Sequence, residues 1–343
     1  VQEGDAGVRQ VRDLGEQGLL QRLQKFCPAD VVGDDGALLS VRQGYLLVVT
    51  SDTLVDGVHF SVGFATPGVR TTSAYDAGWR SAAANLSDLA AMGAAPLGIT
   101  VGLGLPGEVP IALVEELYQG MVDCLQPFNT PIVGGDICRS PVTSLNITAL
   151  GEVLPHQAIR RSTAQPGDVI LVTGVHGASR AGLELLLHPE MGQELRSSDR
   201  AHLIRAHQRP RPRLDVIPRL HLLDPLPDRF TGMDSSDGLA DAVLQICRAS
   251  KVGAQIDRHQ IPLAAGLANW LPEKALEWAL YGGEDFELVL CLPSPSAQML
   301  LNVLEGSAIV GTITAEPGVV LWGSTGQSVE QQLSLDRGFQ HFG

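Results

Sequence analysis

Six short segments of the chain set a carboxylate beside glycine, serine or threonine: GDDG at 33–36, TSD at 50–52, LSD at 86–88, GGD at 134–136, SSDG at 235–238 and GGED at 282–285. Glycine lets a ligand approach the backbone closely, and Asp supplies a hard anionic oxygen of the kind Mg²⁺ takes. One such cluster reads equally well as an Asp-stabilised turn. Six in one chain, most at predicted strand or helix ends, point to one common purpose, the holding of divalent cations and, through them, phosphate groups.

Net charge sharpens this reading. The chain carries −14 at neutral pH, which excludes phosphate-backbone binding by clustered Lys and Arg and so speaks against a nucleic-acid partner. An acidic protein repels free phosphates, and carboxylate-held metals remove that conflict. Two common phosphate devices are missing. All three lysines (Lys25, Lys251 and Lys274) follow a residue other than Gly, so there is no G-x-x-x-x-G-K-[ST] loop, and the protein-kinase catalytic loop is absent too. GLGLPG at 102–107 fits a dinucleotide fingerprint, but Pro106 stiffens it and Glu108 would put negative charge where a pyrophosphate should sit.

The elements that must position these acids alternate between strand and helix patterns. Tyr45–Val49 reads as a buried strand delivering Thr50, Ser51 and Asp52 at its carboxyl end, with Asp56 and His59 close behind. Residues 74–92 read as an Ala-rich helix stopped by Gly93. Ser81, Asn85 and Asp88 share one face of it, either a solvated stripe or a wall that approaches a ligand. Asp234, Ser236 and Asp237 stand just before a helix beginning near Leu239, and Glu284 and Asp285 before a buried strand. His202 and His207, five apart, match no zinc or nucleophile spacing and read as surface residues.

At 343 residues two domains are expected, 1–154 and 155–343, dividing near Pro155, each with the strand–helix alternation of an α/β protein. No apolar run reaches the roughly 20 residues of a membrane span, and the N-terminus lacks a signal pattern. Five scattered cysteines form no C-x-x-C pair, against a disulfide framework or structural zinc. A cytoplasmic enzyme is the economical expectation.

GDDGALL, TSDTLVDGVHF, NLSDLAAMGAAP, VGGD, SDGLADA, GGEDFEL and the terminal GFQHF, in this order, resemble the thiamine-monophosphate kinases. These belong to the ATP-binding superfamily that includes aminoimidazole ribonucleotide synthetase. The resemblance covers nearly the whole chain; NLSDLAAMGA and GGEDFEL are its specific pieces, the acid–glycine motifs marking only the superfamily. It implies the two-domain synthetase-like α/β (α+β) fold: an N-terminal mixed sheet with helices that binds ATP and metal and dimerises, and a C-terminal α/β domain that completes the site. It also implies transfer of the ATP γ-phosphoryl group to thiamine monophosphate, with several Mg²⁺ ions, in a homodimer paired through its N-terminal sheets. The acceptor phosphate, with a second pKa near 6, is already anionic, so no general base is required. The obstacle is charge: two unit charges ~4 Å apart repel by about 4 kcal/mol at an effective dielectric of 20.

By this resemblance the metal shell comprises Asp35, Thr50, Ser51, Asp52, Asp88, Asp136, Asp234 and Asp237, with Asp88, Asp136 and Asp237 central to catalysis. Gly135, Asp136, Arg161 and Ser236 match nucleotide contacts, Tyr118 more weakly, while His59, Glu284 and Phe339 match the substrate side. The plain alternatives are a packed histidine at 59, ordinary tail packing at Phe339 and a surface arginine at 161. Ile137 and Cys138 stand where the family usually has two threonines, Arg80 replaces a common Lys, and the loop between Phe60 and Trp79 looks long. The rivals are another member of the superfamily, of the purine-biosynthetic ligase type, and a nucleotide-binding regulator without activity.

Overall fold

The computed structural model describes residues 9–29, 31, 36–323 and 329–338. Asp35 and Phe339 lie outside the described residues. The chain forms two compact units, one of Val1–Ser40, Val49–Asn85 and Pro96–Leu150, the other of Val41–Val48, Leu86–Ala95 and Gly151–Gly343.

A four-stranded sheet is built from β1 (Leu46–Val55), β2 (Ala95–Leu105), β3 (Ile132–Arg139) and β4 (Ser144–Val153), in the order β1-β4-β2-β3. Three helices accompany it: α1 (Val11–Leu23), α2 (Ala74–Ala91) and α3 (Ile111–Leu125). Ile99, Val101 and Leu103 alternate inward along β2, and Val114, Leu117 and Met121 repeat at helical spacing on α3, giving the first unit its core. α2 and α3 pack backbone to backbone at two glycines. A Cβ on Gly78 would stand 1.8 Å from the Leu117 carbonyl oxygen, and one on Gly120 1.9 Å from that of Tyr75.

β1 departs from the expected short buried strand. It continues through TSDTLV to Val55, so Thr50, Ser51 and Asp52 sit mid-strand. It is also an edge strand, with Leu47 and Val49 50% and 57% exposed. β-branched residues sustain the strand, and an edge position leaves one face uncovered. Gly102 and Gly104 of the decoy fingerprint lie inside β2, and Glu108 pairs with Arg12 at 3.5 Å, so no phosphate-binding turn forms there.

The second unit holds an eight-stranded sheet of β5 (Ile159–Arg160), β6 (Val169–Val172), β7 (Phe230–Asp234), β8 (Gly253–Asp257), β9 (Leu288–Leu292), β10 (Ala308–Thr314), β11 (Gly318–Trp322) and β12 (Val329–Gln332). Their order is β12-β11-β8-β10-β6-β9-β7-β5, with β5–β7 and β8–β11 parallel and the other assigned pairs antiparallel. Its helices are α4 (Ala178–Leu187), α5 (Ser197–Gln208), α6 (Val216–His221), α7 (Leu239–Ser250), α8 (Leu267–Trp270), α9 (Pro272–Tyr281) and α10 (Ser294–Leu301). The central strands FTGMD and LVLCL are buried throughout, as sheets covered on both faces require. One apolar cluster fills the space between α7 and the sheet, with Val243 and Ile246 against Ile170, Val289 and Val310.

Candidate active site

The buried end of β7 delivers Asp234, 2% exposed, into the second unit. Ser87 Oγ donates to its Oδ2 at 2.7 Å and Ser236 Oγ to its Oδ1 at 3.2 Å. Burial first, and then the charge of Asp88, push the Asp234 carboxyl up to about 7. Arg161 acts in the opposite direction as the smallest contributor. Asp237 follows on the loop into α7, and its charge, after burial, raises the Asp241 carboxyl one helical turn on. The structure thus gathers Asp88, Asp234, Asp237, Ser236 and Arg161 in one unit, from the end of α2, the β7–α7 loop and the segment after β5.

Asp234 is buried, Asp88 half-buried and Asp237 exposed, and a cation bound there would offset the mutual repulsion of their carboxylates. Among the described residues no group of three or more His, Cys, Asp or Glu is arranged to hold a metal by itself. Asp88, Asp234 and Asp237 carry hard oxygen donors of the kind Mg²⁺ takes when one or two carboxylates bind it and water and substrate phosphates complete its shell.

GGEDFEL forms the adjoining wall. Gly283, Glu284 and Phe286 all have left-handed backbone, with φ of 66°, 60° and 53°. The neighbours impose this conformation. The Glu284 N–H donates to the Ser236 carbonyl at 2.7 Å, and the Ser235 N–H to that of Glu287 at 2.8 Å. Asp285 accepts from the N–H groups of Gly177 and Ser179, at 2.7 and 2.8 Å, at the start of α4, where helix dipole and free donors favour an anion. Glu287 accepts from Thr173 Oγ1 at 2.6 Å and pairs with the buried Arg213, which also donates to the Thr173 carbonyl at 2.6 Å.

In the first unit, His59 Nδ1 accepts the Val55 N–H at 3.1 Å, so the neutral ring carries its proton on Nε2. The buried Arg80 donates to the His59 carbonyl at 3.3 Å. Asp56 is 2% exposed and accepts from the N–H groups of Val62 and Ala65 at 3.1 and 3.0 Å, shaping the long loop that follows.

Alternation along β1 separates its three oxygen ligands. Ser51 Oγ donates to the Ile147 carbonyl at 3.0 Å and lies 3.1 Å from Thr148 Oγ1, while Thr50 and Asp52 point to the other face. Asp136 pairs in register with Gly102 and belongs to the Ser51 face. β1 and β3 are opposite edges of the sheet, roughly 14 Å apart at the usual strand spacing. Within one chain, therefore, Asp52 and Asp136 do not meet around one cation. Gly135 is fitted to β2: a Cβ there would lie 2.0 Å from the Val101 carbonyl oxygen. Tyr118 is 5% exposed, its ring 5.6 Å from that of Phe26, and burial raises its hydroxyl pKa. Packing accounts for Tyr118.

One expectation is corrected here. His207 is a core residue, 2% exposed; only His202 lies at the surface. Of the two readings of the α2 stripe, the solvated face is excluded, since Ser81 and Asn85 are both fully buried. Ser87, Asp241, Asp285 and His207, which contact or adjoin Asp234, Asp237 and Glu284, are not among the site residues expected from the sequence. Ser87 and Asp285 lie in acid–glycine or acid–serine segments, whereas a lone histidine five residues from another gives no signal.

Two family profiles match the chain: "AIR synthase related protein, N-terminal domain" over residues 33–153 and "AIR synthase related protein, C-terminal domain" over 165–323. They define the class of two-domain proteins to which this fold and its acidic site correspond. Within that class, a thiamine-monophosphate kinase of Synechococcus elongatus is 51% identical over 338 residues, 97% of this chain and 98% of that protein. The thiamine-monophosphate kinase structure from Stenotrophomonas maltophilia K279a is 34% identical with a TM-score of 0.76, covering 88% of this chain and 95% of that one. AaThiL complexed with AMPPCP and TMP is 28% identical with a TM-score of 0.72, covering 96% and 99%. The chain belongs to the thiamine-monophosphate kinase family.

Proposed function

We infer that the chain phosphorylates thiamine monophosphate with ATP, giving thiamine diphosphate and ADP, and that Asp88, Asp234 and Asp237 form the acidic heart of the reaction. The buried Asp234 carboxylate, held by Ser87 and Ser236 and raised by the charge of Asp88, carries this reading: a bound cation would stabilise its charged form. Mg²⁺ held there would supply the positive charge that lets two phosphates approach in line.

The chain's own residues do the positioning. Ser87 and Ser236 fix the Asp234 carboxylate by one hydroxyl on each oxygen. Arg161 is exposed and stands near enough to influence both Asp234 and Asp241, which suits a guanidinium meeting nucleotide phosphate. Gly135 and Asp136 offer a bare backbone and a carboxylate for the nucleotide or its metal. By the family resemblance, His59 with its Nε2 donor and Glu284 each take a substrate-side role, and Thr50, Ser51 and Asp52 take metal-shell roles, Ser51 through its backbone because its hydroxyl is engaged on β4. Asp35 and Phe339 take the roles their motifs imply.

The working form is a homodimer, a reading that β1 supports. An edge strand with Leu47 and Val49 half exposed invites a second copy. Five free thiols suit a reducing cytoplasm, and no helix among the described residues is long and apolar enough to cross a membrane.

Incubation with Mg²⁺, ATP and thiamine monophosphate should give thiamine diphosphate and ADP in equal amounts, and Asp88→Ala or Asp237→Ala should abolish this. ATP binding without turnover would point to a regulator, and turnover of a purine intermediate to a ligase; either sinks the assignment.

A further inference from the structure

His207 is a buried histidine that the phosphoryl-transfer chemistry does not use. It sits near the end of α5, and its Nδ1 lies 3.6 Å from Glu284 Oε2 and 3.2 Å from Ser179 Oγ on α4. The two helices are pressed together at Gly182, where a Cβ would stand 2.0 Å from the Leu203 carbonyl oxygen and 3.0 Å from the His207 Cβ. The close helix approach keeps the imidazole buried, at 2% exposure, beside Ser179.

These contacts close a ring. Glu284 meets His207, and His207 meets Ser179. The Ser179 N–H is held by Asp285, the residue after Glu284. On the other side the Glu284 N–H is fixed on the Ser236 carbonyl at φ 60°. The backbone of Glu284 is therefore fastened without help from its side chain. That side chain, about a third exposed, has long flexible torsions, and the imidazole standing 3.6 Å from its carboxylate limits them.

We propose that His207 is a positioning residue that aims the Glu284 carboxylate at the cationic, amino-bearing ring system of the thiamine substrate. This rests on the reading that Glu284 lies on the substrate side. A carboxylate held in its productive rotamer loses less freedom on binding, and the gain falls on thiamine monophosphate, not on ATP.

The test compares His207→Phe, His207→Asn and His207→Gln with Glu284→Gln and the His207→Phe/Glu284→Gln pair. KM is measured for each substrate, and folding is monitored by thermal melting and ATP binding. His207→Phe should raise KM for thiamine monophosphate about tenfold with KM for ATP unchanged and kcat within about threefold. The Asn amide nitrogen reproduces Nδ1, so His207→Asn should keep KM near the parent value. The Gln amide reaches the Nε2 position and should not rescue. If His207→Phe fails to fold, the Asn–Gln contrast carries the same comparison. The double variant should be no worse than Glu284→Gln alone, because both act through one carboxylate. Additive losses, equal effects on both substrates, or failure of Asn to rescue would overturn the positioning role while Glu284 kept its own. An unchanged KM in Glu284→Gln would instead remove the reading beneath it.

Discussion

Glu284 and Ser236 are joined through the backbone: the Glu284 N–H donates to the Ser236 carbonyl oxygen at 2.7 Å. Gly283 packs on the same atom, where a Cβ would come within 2.7 Å. The bond ties the loop assigned to the nucleotide and metal directly to the loop assigned to the acceptor. The proposed donor and acceptor contacts of the second unit thus have a fixed spacing that does not depend on side-chain rotamers. A second bond, from the Ser235 N–H to the Glu287 carbonyl at 2.8 Å, prevents the two segments from rotating about the first.

Glu284 has φ 60°, a conformation that costs a side-chain-bearing residue about 1 kcal/mol and glycine almost nothing. Glu284→Gly should therefore leave stability unchanged or raise it by up to about 1 kcal/mol, while KM for thiamine monophosphate rises at least about tenfold. Urea unfolding and steady-state kinetics on the same preparation check both halves. A variant that is destabilised and loses both substrates alike would show that the side chain holds the fold and does not contact substrate.

Asp234→Asn gives a second separation of stability from activity. The parent carboxyl is pushed up to about 7 by burial and by Asp88, so at neutral pH much of it carries a charge that the fold disfavours. Asn keeps the shape: one of the Ser87 and Ser236 hydroxyls can reorient to accept from its amide NH2 while the other goes on donating to its oxygen. In the absence of metal its thermal midpoint should lie above that of the parent at pH 8, with kcat reduced by about a hundredfold or more. A lower midpoint together with normal turnover would make Asp234 a structural residue.

The acid clusters are legible in the sequence because their chemistry is local: a carboxylate beside small residues is visible in four letters. Their grouping is less so. Thr50, Ser51 and Asp52 are adjacent in sequence, and the resemblance puts all three in one shell, yet strand alternation turns Ser51 away from the other two. The hydrophobic run stops at Val49 and so suggests a strand end there; β1 continues because backbone pairing with β4 does not require apolar side chains. His207 reads as a surface residue because α5 is rich in Arg and polar groups. Its burial is set by Gly182 on another helix, a tertiary fact with no periodic trace.

His176 is fully buried, and burial lowers its pKa to about 4, with the Gly174 backbone offsetting part of the effect. The folded protein therefore keeps the ring neutral at pH values where the unfolded chain, with an ordinary pKa near 6.5, takes up a proton. Between these values the unfolded state binds more protons, so this residue's contribution to stability is full above pH 6.5 and falls away as the pH drops toward 4. The total is about 3 kcal/mol. Other groups titrate in the same range, so the measurement is a difference: unfolding free energies of the parent and His176→Leu from pH 7.5 to 4.5. The parent should lose stability relative to the variant as the pH falls. Parallel curves would mean that the ring is protonated, or solvated, inside the fold.

The alternation along β1 yields a test of which atoms reach a cation. Ser51 Oγ is engaged with the Ile147 carbonyl and Thr148, and Asn146 Nδ2 donates to Thr53 Oγ1 at 2.6 Å, forming a polar network on the open face of the sheet. Removing the Ser51 hydroxyl costs its partly solvent-exposed contacts with Ile147 and Thr148, about 1 kcal/mol, and leaves its backbone carbonyl in place. Asp52 projects from the other face. Ser51→Ala should therefore titrate with Mg²⁺ as the parent does, with a slightly lower melting temperature, whereas Asp52→Asn should need about tenfold more Mg²⁺ for half-maximal rate. Activity as a function of free Mg²⁺ at saturating ATP and thiamine monophosphate reads both. An increased Mg²⁺ requirement in Ser51→Ala, with Asp52→Asn unaffected, would place the cation on the open face beside Asp136 and reverse the assignment.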